Sequence, residues 1–331
     1  MAPTLEHWSR IADLARHAPT PHNTQPFRIR PRDANSADVI VMRERLLPRE
    51  DHGNRYMASA LGILAVTMRL AARQLGLELD VSPDLTIDPA TLHTSGERVV
   101  IGTATITGTC AALPNSDLLA TRRTSRVPYD DRVVGPSVVN AFDAVVTDGG
   151  HRFLQYVDTI TVKRILRLNA DAIVDNLHFD DEREEISHWY RTGTTPVFGD
   201  GLWQKPMNQP AWEIRAAFAF PHLFHLPVFR EFAVHRYLRT QRGTRHIGLL
   251  CGPFYRPAEL FSAGETFMNL WLQMARTGVY MQPMGSMLTN PRYAAEIART
   301  FDVDDCWLVF RFGYGDPPPR APRLQSILIN E

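Results

Sequence analysis

The sequence predicts an α+β fold of two related halves in tandem, with long buried helices at the centre and mixed β-sheets flanking them. Two observations predict it. Gly62 to Gly76 brackets "ILAVTMRLAARQL" and Gly264 to Gly278 brackets "ETFMNLWLQMART", both spaced by fourteen residues, with Leu70 aligned on Leu272. Any buried helix with a glycine C-cap could give one such segment. The second observation, a similar order of strands and helices around both segments, is what makes the repeat.

The elements follow from periodicity. "EHWSRIADLARHA" places Trp8, Ile11, Leu14 and Ala15 on one helical stripe. "FRIR" and "ADVIVM" read as strands. "GNRYMASALGILAVTMRLAARQLG" is a helix apolar on nearly every face, so it should be central. "RVVIGTATI" is a further strand. The pattern then restarts. Helix "PSVVNAFDAVV" has Pro136 at its first turn. Strand "RFLQYV", helix "TVKRILRLNADAIVDN", strand "RHIGLLC", long helix "SAGETFMNLWLQMARTG" and strand "CWLVFRFGY" complete it. The halves are expected at 1–112 and 113–331, divided near "AALPNSD" at 111–117.

Composition narrows the function. The chain has 331 residues, 44% hydrophobic and 22% charged, which is ordinary for a globular protein with a sizeable core. Net charge is zero, which removes the electrostatic case for nucleic acid or an acidic membrane, though not for a local phosphate site. "MAPTLEHWSR" carries Glu6 and no apolar core, so no signal peptide is expected. No apolar run reaches the length of a membrane span. Cys110, Cys251 and Cys306 lie far apart with no CxxC, as expected of a reduced, cytoplasmic chain.

Common catalytic signatures are missing. No GxGxxG opens a helix, and there is no GxxxxGK[ST] or GxSxG. No catalytic side chain is assigned. His222 and His225 in "PHLFHL" have apolar flanks and no nearby acidic or thiol partner, so no metal site is expected. "DDEREE" at 180–185 reads as the solvated first turn of a helix ending near "HWYR". Cys251 reads as a buried structural thiol.

One stretch is too polar for core and too particular for a linker: "APTPHNTQPF" at 18–27. It resembles the [SA]PSxxNxQPW segment of the FMN-dependent nitroreductase superfamily. "RRTSR" at 122–126 resembles that superfamily's RRSxR. "YMQPMG" at 280–285 resembles its segment beside the isoalloxazine, and "GYGDPPPRAPR" at 313–323 its basic C-terminal tail. In that family two chains usually share each site. Here the PSxxN-like loop lies in the first half and the other motifs in the second, so the chain resembles the tandem, Acg-like branch, a fused pseudo-dimer.

The resemblance implies FMN, with NAD(P)H as electron donor and a nitro compound, quinone or similar small molecule as acceptor. It implies that Arg122, Arg123, Thr124 and Arg126 hold the phosphate with Arg320 and Arg323. It places Pro19, Thr20, Pro21, Asn23 and Gln25 along the ring and ribityl chain, and Met284 and Gly285 beside the ring. The chemistry agrees, because planar guanidinium forks suit a phosphate dianion and prolines stiffen the loop. Thr20, Pro21 and Phe27 depart from the commoner Ser, Ser and Trp. "HWSR" stands where the first half would need RRSxR, and "DGGHRFLQY" where the second would need PSxxN. One FMN per chain is therefore expected, in a site complete within the chain, with higher oligomers left open. Residues 193–244 have no counterpart in the first half and hold Phe198, Trp203, Trp212, Phe218, Phe220, Phe224, Phe229, Phe232 and Tyr237. They are read as a lid over the flavin or a satellite core. Two alternatives stand beside the reductase: an oxidising FMN enzyme acting on an amine, peptide or heterocycle, and a non-catalytic FMN-sequestering protein.

Overall fold

The computed structural model describes residues 3–113, 117–195 and 198–330. The first half runs α1 (Leu5–Ala15), β1 (Phe27–Pro31), β2 (Ser36–Met42), α2 (Arg55–Gln74), β3 (Leu77–Pro83) and β4 (Arg98–Thr109). After the short α3 (Leu118–Thr121) the second half begins with α4 (Pro136–Asp148) and β5 (Arg152–Tyr156). A helical segment follows: α5 (Thr159–Asn176), α6 (Asp180–Trp189), the small strands β6 (Tyr190–Arg191) and β7 (Leu202–Trp203), α7 (Gln204–Met207), α8 (Ala211–Ala219) and α9 (Pro227–Thr240). The half closes with β8 (His246–Cys251), α10 (Pro257–Arg276), β9 (Tyr280–Pro283), α11 (Ser286–Thr289), α12 (Pro291–Phe301) and β10 (Cys306–Gly313).

The two halves have the same topology. Their sheets have strand orders β1-β2-β4-β3 and β5-β8-β10-β9, so each strand of one maps onto a strand of the other. All pairs within both sheets are antiparallel; parallel pairing enters at β6–β7 and at two bridges, Ile29–Leu328 and Thr124–Met281. The glycine repeat has a physical basis at the contact of the two long helices. A Cβ on Gly62 would stand 2.0 Å from the Phe261 carbonyl oxygen, and one on Gly264 1.7 Å from that of Ser59. The contact is two-fold symmetric, and glycine at both positions is what lets the backbones of α2 and α10 touch. Gly76 and Gly278, just beyond the two helix ends, take φ of +75° and +71°, the left-handed conformation that stops a helix.

The outer faces of the two sheets differ. β3, "LELDVSP", alternates buried and exposed, with Glu78, Asp80 and Ser82 facing out. β8, "HIGLLC", is buried throughout. A second core explains the difference: Val162, Ile165 and Leu166 of α5 and Ile297 of α12 cover Ile247, Leu249 and Val309. The segment without a counterpart therefore begins earlier than residue 193. β1 and β2 are joined by a turn in which the Asp33 carboxylate accepts from the Asn35 and Ser36 amides, whereas β5 and β8 are separated by all of α5–α9. The tandem division expected at 111–117 falls partly on 114–116, outside the described residues. β9, α7, α8 and α9 lack the strong periodicity by which the other elements are read, whereas β3 and α12 carry it in "LELDVSP" and "PRYAAEIARTF" and add to the elements expected from sequence.

The chain also crosses back on itself. The tail after β10 returns to the first half, where the Ile29 amide donates to the Ile327 carbonyl at 2.8 Å and the Ile329 amide to the Ile29 carbonyl at 3.0 Å. No helix is long and apolar enough among the described residues to cross a membrane.

Candidate active site

The best-formed cleft draws on both halves. Its walls are the α1–β1 loop (His17, Pro19, Thr20, His22, Asn23), the linker (Arg122, Arg123, Thr124, Arg126), β7 and α7 (Trp203, Pro206, Met207) and the tail (Arg320, Arg323). The cavity within it is about 120 Å³. Pro19, Thr20, Asn23, Arg122, Arg123, Thr124, Arg126, Arg320 and Arg323 thus come together, from three stretches of sequence. Pro21, Gln25, Met284 and Gly285 do not line it. Met284 is buried in the second core and Gly285 caps α11. Both follow β9, whose contact with the linker is made by Met281 instead: its carbonyl accepts from the Ser125 amide at 2.9 Å.

The arginines have few partners. Arg122 is 4% exposed, lies over the Trp271 ring at 4.3 Å and donates only from Nη2, to the His17 carbonyl at 3.3 Å. Its Nε and Nη1 are buried without any hydrogen-bond acceptor, as is Nε of Arg323. Burial, with Arg323 adding repulsion, pulls Arg122 down to about 9; burial pulls Arg323 to about 10. His17 is lowered to about 4 by burial and then by Arg323, Arg16, Arg122 and Arg320. Among the described residues no carboxylate pairs with Arg122, Arg323 or Arg126. Buried cations are normally paired, so this set is built to meet an anion. Arg123 is partly committed, donating to the Ala120 and Pro318 carbonyls at 3.2 and 2.8 Å.

The side-chain amides of the α1–β1 loop have another task. Asn23 donates to the Gly201 and Pro322 carbonyls at 3.1 and 3.0 Å and accepts from Arg323. Gln25 donates to the Gly199 carbonyl at 2.9 Å and accepts from the Leu324 amide at 3.0 Å. Both side chains pin the inserted segment and the tail to the loop. Asp200, 6% exposed, adds a clamp: it pairs with Arg45 at 3.0 Å and Arg191 at 2.9 Å. The loop itself is strained, with His22, Asn23 and Gln25 all at φ near +50° (46°, 55° and 51°).

Several contributors escaped the sequence reading. Arg311 is fully buried in β10 and donates to Gln282, Thr244 and the Ser125 and Val127 carbonyls, at 2.7–3.1 Å. It fixes the linker that carries Arg122 and Arg126. A lone arginine inside "CWLVFRFGY" was the available signal. His17, His22, Arg45 and Asp200 carried none. Of the inserted aromatics, Trp203 lines the cleft, and Phe224 and Tyr237 pack on a small cluster around Val234. Phe198, Trp212, Phe220, Phe229 and Phe232 are exposed. His225 stacks on His178 with centroids 3.9 Å apart. Among the described residues no group of three or more His, Cys, Asp or Glu could hold a metal. Cys251 is buried, opposite Cys306 in the β8–β10 register.

At the position related to the cleft by the repeat, α4 and β5 are joined by the tight "GGH" turn, and a Cβ on Gly149 would lie 2.1 Å from the Thr266 hydroxyl. The first-half residue that repeats Trp271 is Arg69, paired with Glu265.

No protein-family model and no curated protein sequence matches the chain. Among solved structures it is similar to an FMN-dependent nitroreductase from Mycobacterium smegmatis in complex with NADPH, at 16% identity and a TM-score of 0.36 over 63% of this chain and 92% of that one. It is also similar to a nitroreductase with bound FMN from Desulfitobacterium hafniense, at 11% identity and a TM-score of 0.35 over 63% of this chain and 95% of that one. Likeness at this level does not say what the present cleft binds. The cleft's own chemistry bears on that.

Proposed function

We propose that the cleft binds FMN by its phosphate and that the chain is an FMN-dependent oxidoreductase of nitroreductase type, with NAD(P)H as electron donor and a small nitro compound, quinone or similar molecule as acceptor. The observation that carries this reading is the buried guanidinium of Arg122, two of whose three nitrogens lack an acceptor, beside Arg323. A phosphate dianion offers such groups charge-assisted hydrogen bonds, each contributing about 1.5–3 kcal/mol. Arg126, Arg320 and the Thr124 hydroxyl lie on the same cleft. The flavin supplies the hydride chemistry when bound; the protein binds, orients and excludes water.

The phosphate end fits as the cleft stands. The ring needs more room, because a cavity of about 120 Å³ falls short of the roughly 300–1,000 Å³ usual for ligand pockets. Binding therefore requires the segment holding Trp203, Pro206 and Met207 to move back. The same closure favours a second reading, an FMN-sequestering protein that excludes acceptors. Purified protein is expected to be yellow and to release one FMN per chain on heating. Two FMN per chain would mean that the repeat-related position is open, and colourless protein that cannot be reconstituted would remove the flavin reading. Rapid flavin reduction by NADPH in stopped flow selects the enzyme; none selects sequestration.

A further inference from the structure

β8 and β10 carry one cysteine each, and their ladder brings the two together. Cys251 ends β8 and Cys306 opens β10, directly opposite each other in the register. The next pair along is hydrogen-bonded: the Gly252 amide donates to the Asp305 carbonyl at 3.0 Å. Opposed pairs alternate along an antiparallel ladder, so Cys251 and Cys306 form a non-hydrogen-bonded pair, with Cα atoms about 4.5 Å apart. That lies within the roughly 4.4–6.8 Å that a disulfide spans. Both side chains also point the same way. Leu250, Trp307 and Leu308 pack in the central core, whereas Cys251, Cys306 and Val309 pack in the second core beneath α5 and α12. Strict alternation back from Val309 would turn Cys306 inward. The bulge between Cys306 and Leu308 inserts one residue and turns it outward instead, onto the face of Cys251. There the two thiols share a hydrogen bond.

Access to the pair is one-sided. Cys251 is fully buried, while Cys306 is partly exposed and lines a second cleft of about 260 Å³ with Ala294, Ala298 and Asp305. We propose that Cys306 and Cys251 are a reactive dithiol, oxidised to a disulfide by a hydroperoxide that enters through this second cleft. The Cys306 thiolate attacks one oxygen of hydrogen peroxide. An S–O bond forms, the O–O bond breaks, and the departing hydroxide takes up the thiol's proton as water, leaving a sulfenic acid. The Cys251 sulfur then attacks the Cys306 sulfur. The S–S bond forms as the S–O bond breaks, and the hydroxyl leaves with the Cys251 proton as a second water. Two thiols lose two electrons and two protons, and the peroxide becomes two waters. The two thiols titrate as a pair, because the hydrogen bond between them eases loss of the first proton and hinders loss of the second. Access therefore selects the sulfur that meets the oxidant, and that sulfur is Cys306.

The test needs no flavin and stands apart from the proposed function. The purified full chain is treated with stoichiometric hydrogen peroxide and denatured in acid. Its free thiols are then alkylated and located by peptide mass spectrometry. The three thiols should fall to one, Cys110, with Cys251 and Cys306 joined in a peptide pair that dithiothreitol separates. In Cys251→Ser, Cys306 should accumulate as sulfenic acid and be trapped by dimedone. In Cys306→Ser, Cys251 should oxidise about 10-fold or more slowly than in the parent chain, since a buried thiol is inert. Three free thiols after treatment, Cys306 as sulfinic acid beside a free Cys251, or a bridge to Cys110 overturns the proposal. So does a Cys251 that oxidises as fast in Cys306→Ser as in the parent chain.

Discussion

At the residue scale the cleft trades stability for binding. Arg122 is desolvated with two nitrogens unpartnered, a cost that lasts until an anion arrives. Arg122→Met should therefore leave the melting temperature of FMN-free protein unchanged or higher. FMN affinity should fall by roughly 10- to 150-fold, the equivalent of about 1.5–3 kcal/mol, while riboflavin, lacking the phosphate, should be nearly indifferent. Equal losses for both ligands in titration calorimetry would put the phosphate elsewhere. Glu182 gives a pH signature. Burial, then Glu50 and Glu185, raise it to about 7 from 4.5. A carboxyl whose folded pKa is raised stabilises the fold below its unfolded value, and that contribution is lost as pH rises through the folded one. Glu182→Gln should thus be more stable than the parent above pH 7, with the difference vanishing near pH 4.5, as read from urea midpoints across that range. The arginines were legible in sequence because "RRTSR" and the basic tail are local patterns. The work of Asn23 was not, because its partners Gly201 and Pro322 lie 178 and 299 residues away. A side-chain amide looks the same whether it meets a cofactor or a backbone.

At the element scale the crossing of α2 and α10 is the fixed point of the fold. Glycine inside a helix costs about 0.5–1 kcal/mol relative to alanine, so at an ordinary site Gly→Ala would stabilise. At Gly62 and Gly264 the added methyl meets a carbonyl oxygen at 2.0 and 1.7 Å, and backbone cannot step aside as a flexible side chain can. Gly62→Ala or Gly264→Ala should therefore destabilise by about 1–3 kcal/mol or more, measured by denaturant unfolding. Stabilisation by either would mean that the helices do not touch as described. The fourteen-residue spacing exposed this crossing in the sequence, since a close approach leaves glycine as its mark. The inserted segment left no such mark, because it is secured by scattered polar contacts. Asp200 makes two of these, bridging Arg45 of the first half and Arg191 beyond α6. Asp200→Asn should loosen residues 199–207 and speed FMN exchange, whereas Arg132→Ala, at an exposed pair with Asp130, should not alter it.

At the scale of the whole molecule two halves of the same topology meet within one chain through a two-fold helix contact. The cleft draws on the loop after α1 from the first half and on the linker, inserted segment and tail from the second. The tail also bridges to the first half's sheet, through hydrogen bonds of Ile29 with Ile327 and Ile329. Neither half can complete the site alone, and the α2–α10 contact that joins them is a core packed to backbone distance rather than a wet domain interface. Two consequences follow from the same geometry. Dilution should not release FMN by dissociation, since both walls belong to one chain. Cutting the chain within 113–117 should yield fragments that co-purify, because burial of α2 against α10 does not need the covalent link. The paired fragments should keep FMN, and the separated fragments should hold none. A second fragment that binds FMN by itself would show that the α1–β1 loop is dispensable. Fragments that stay apart when expressed together would show that the linker, not the helix crossing, holds the halves in register.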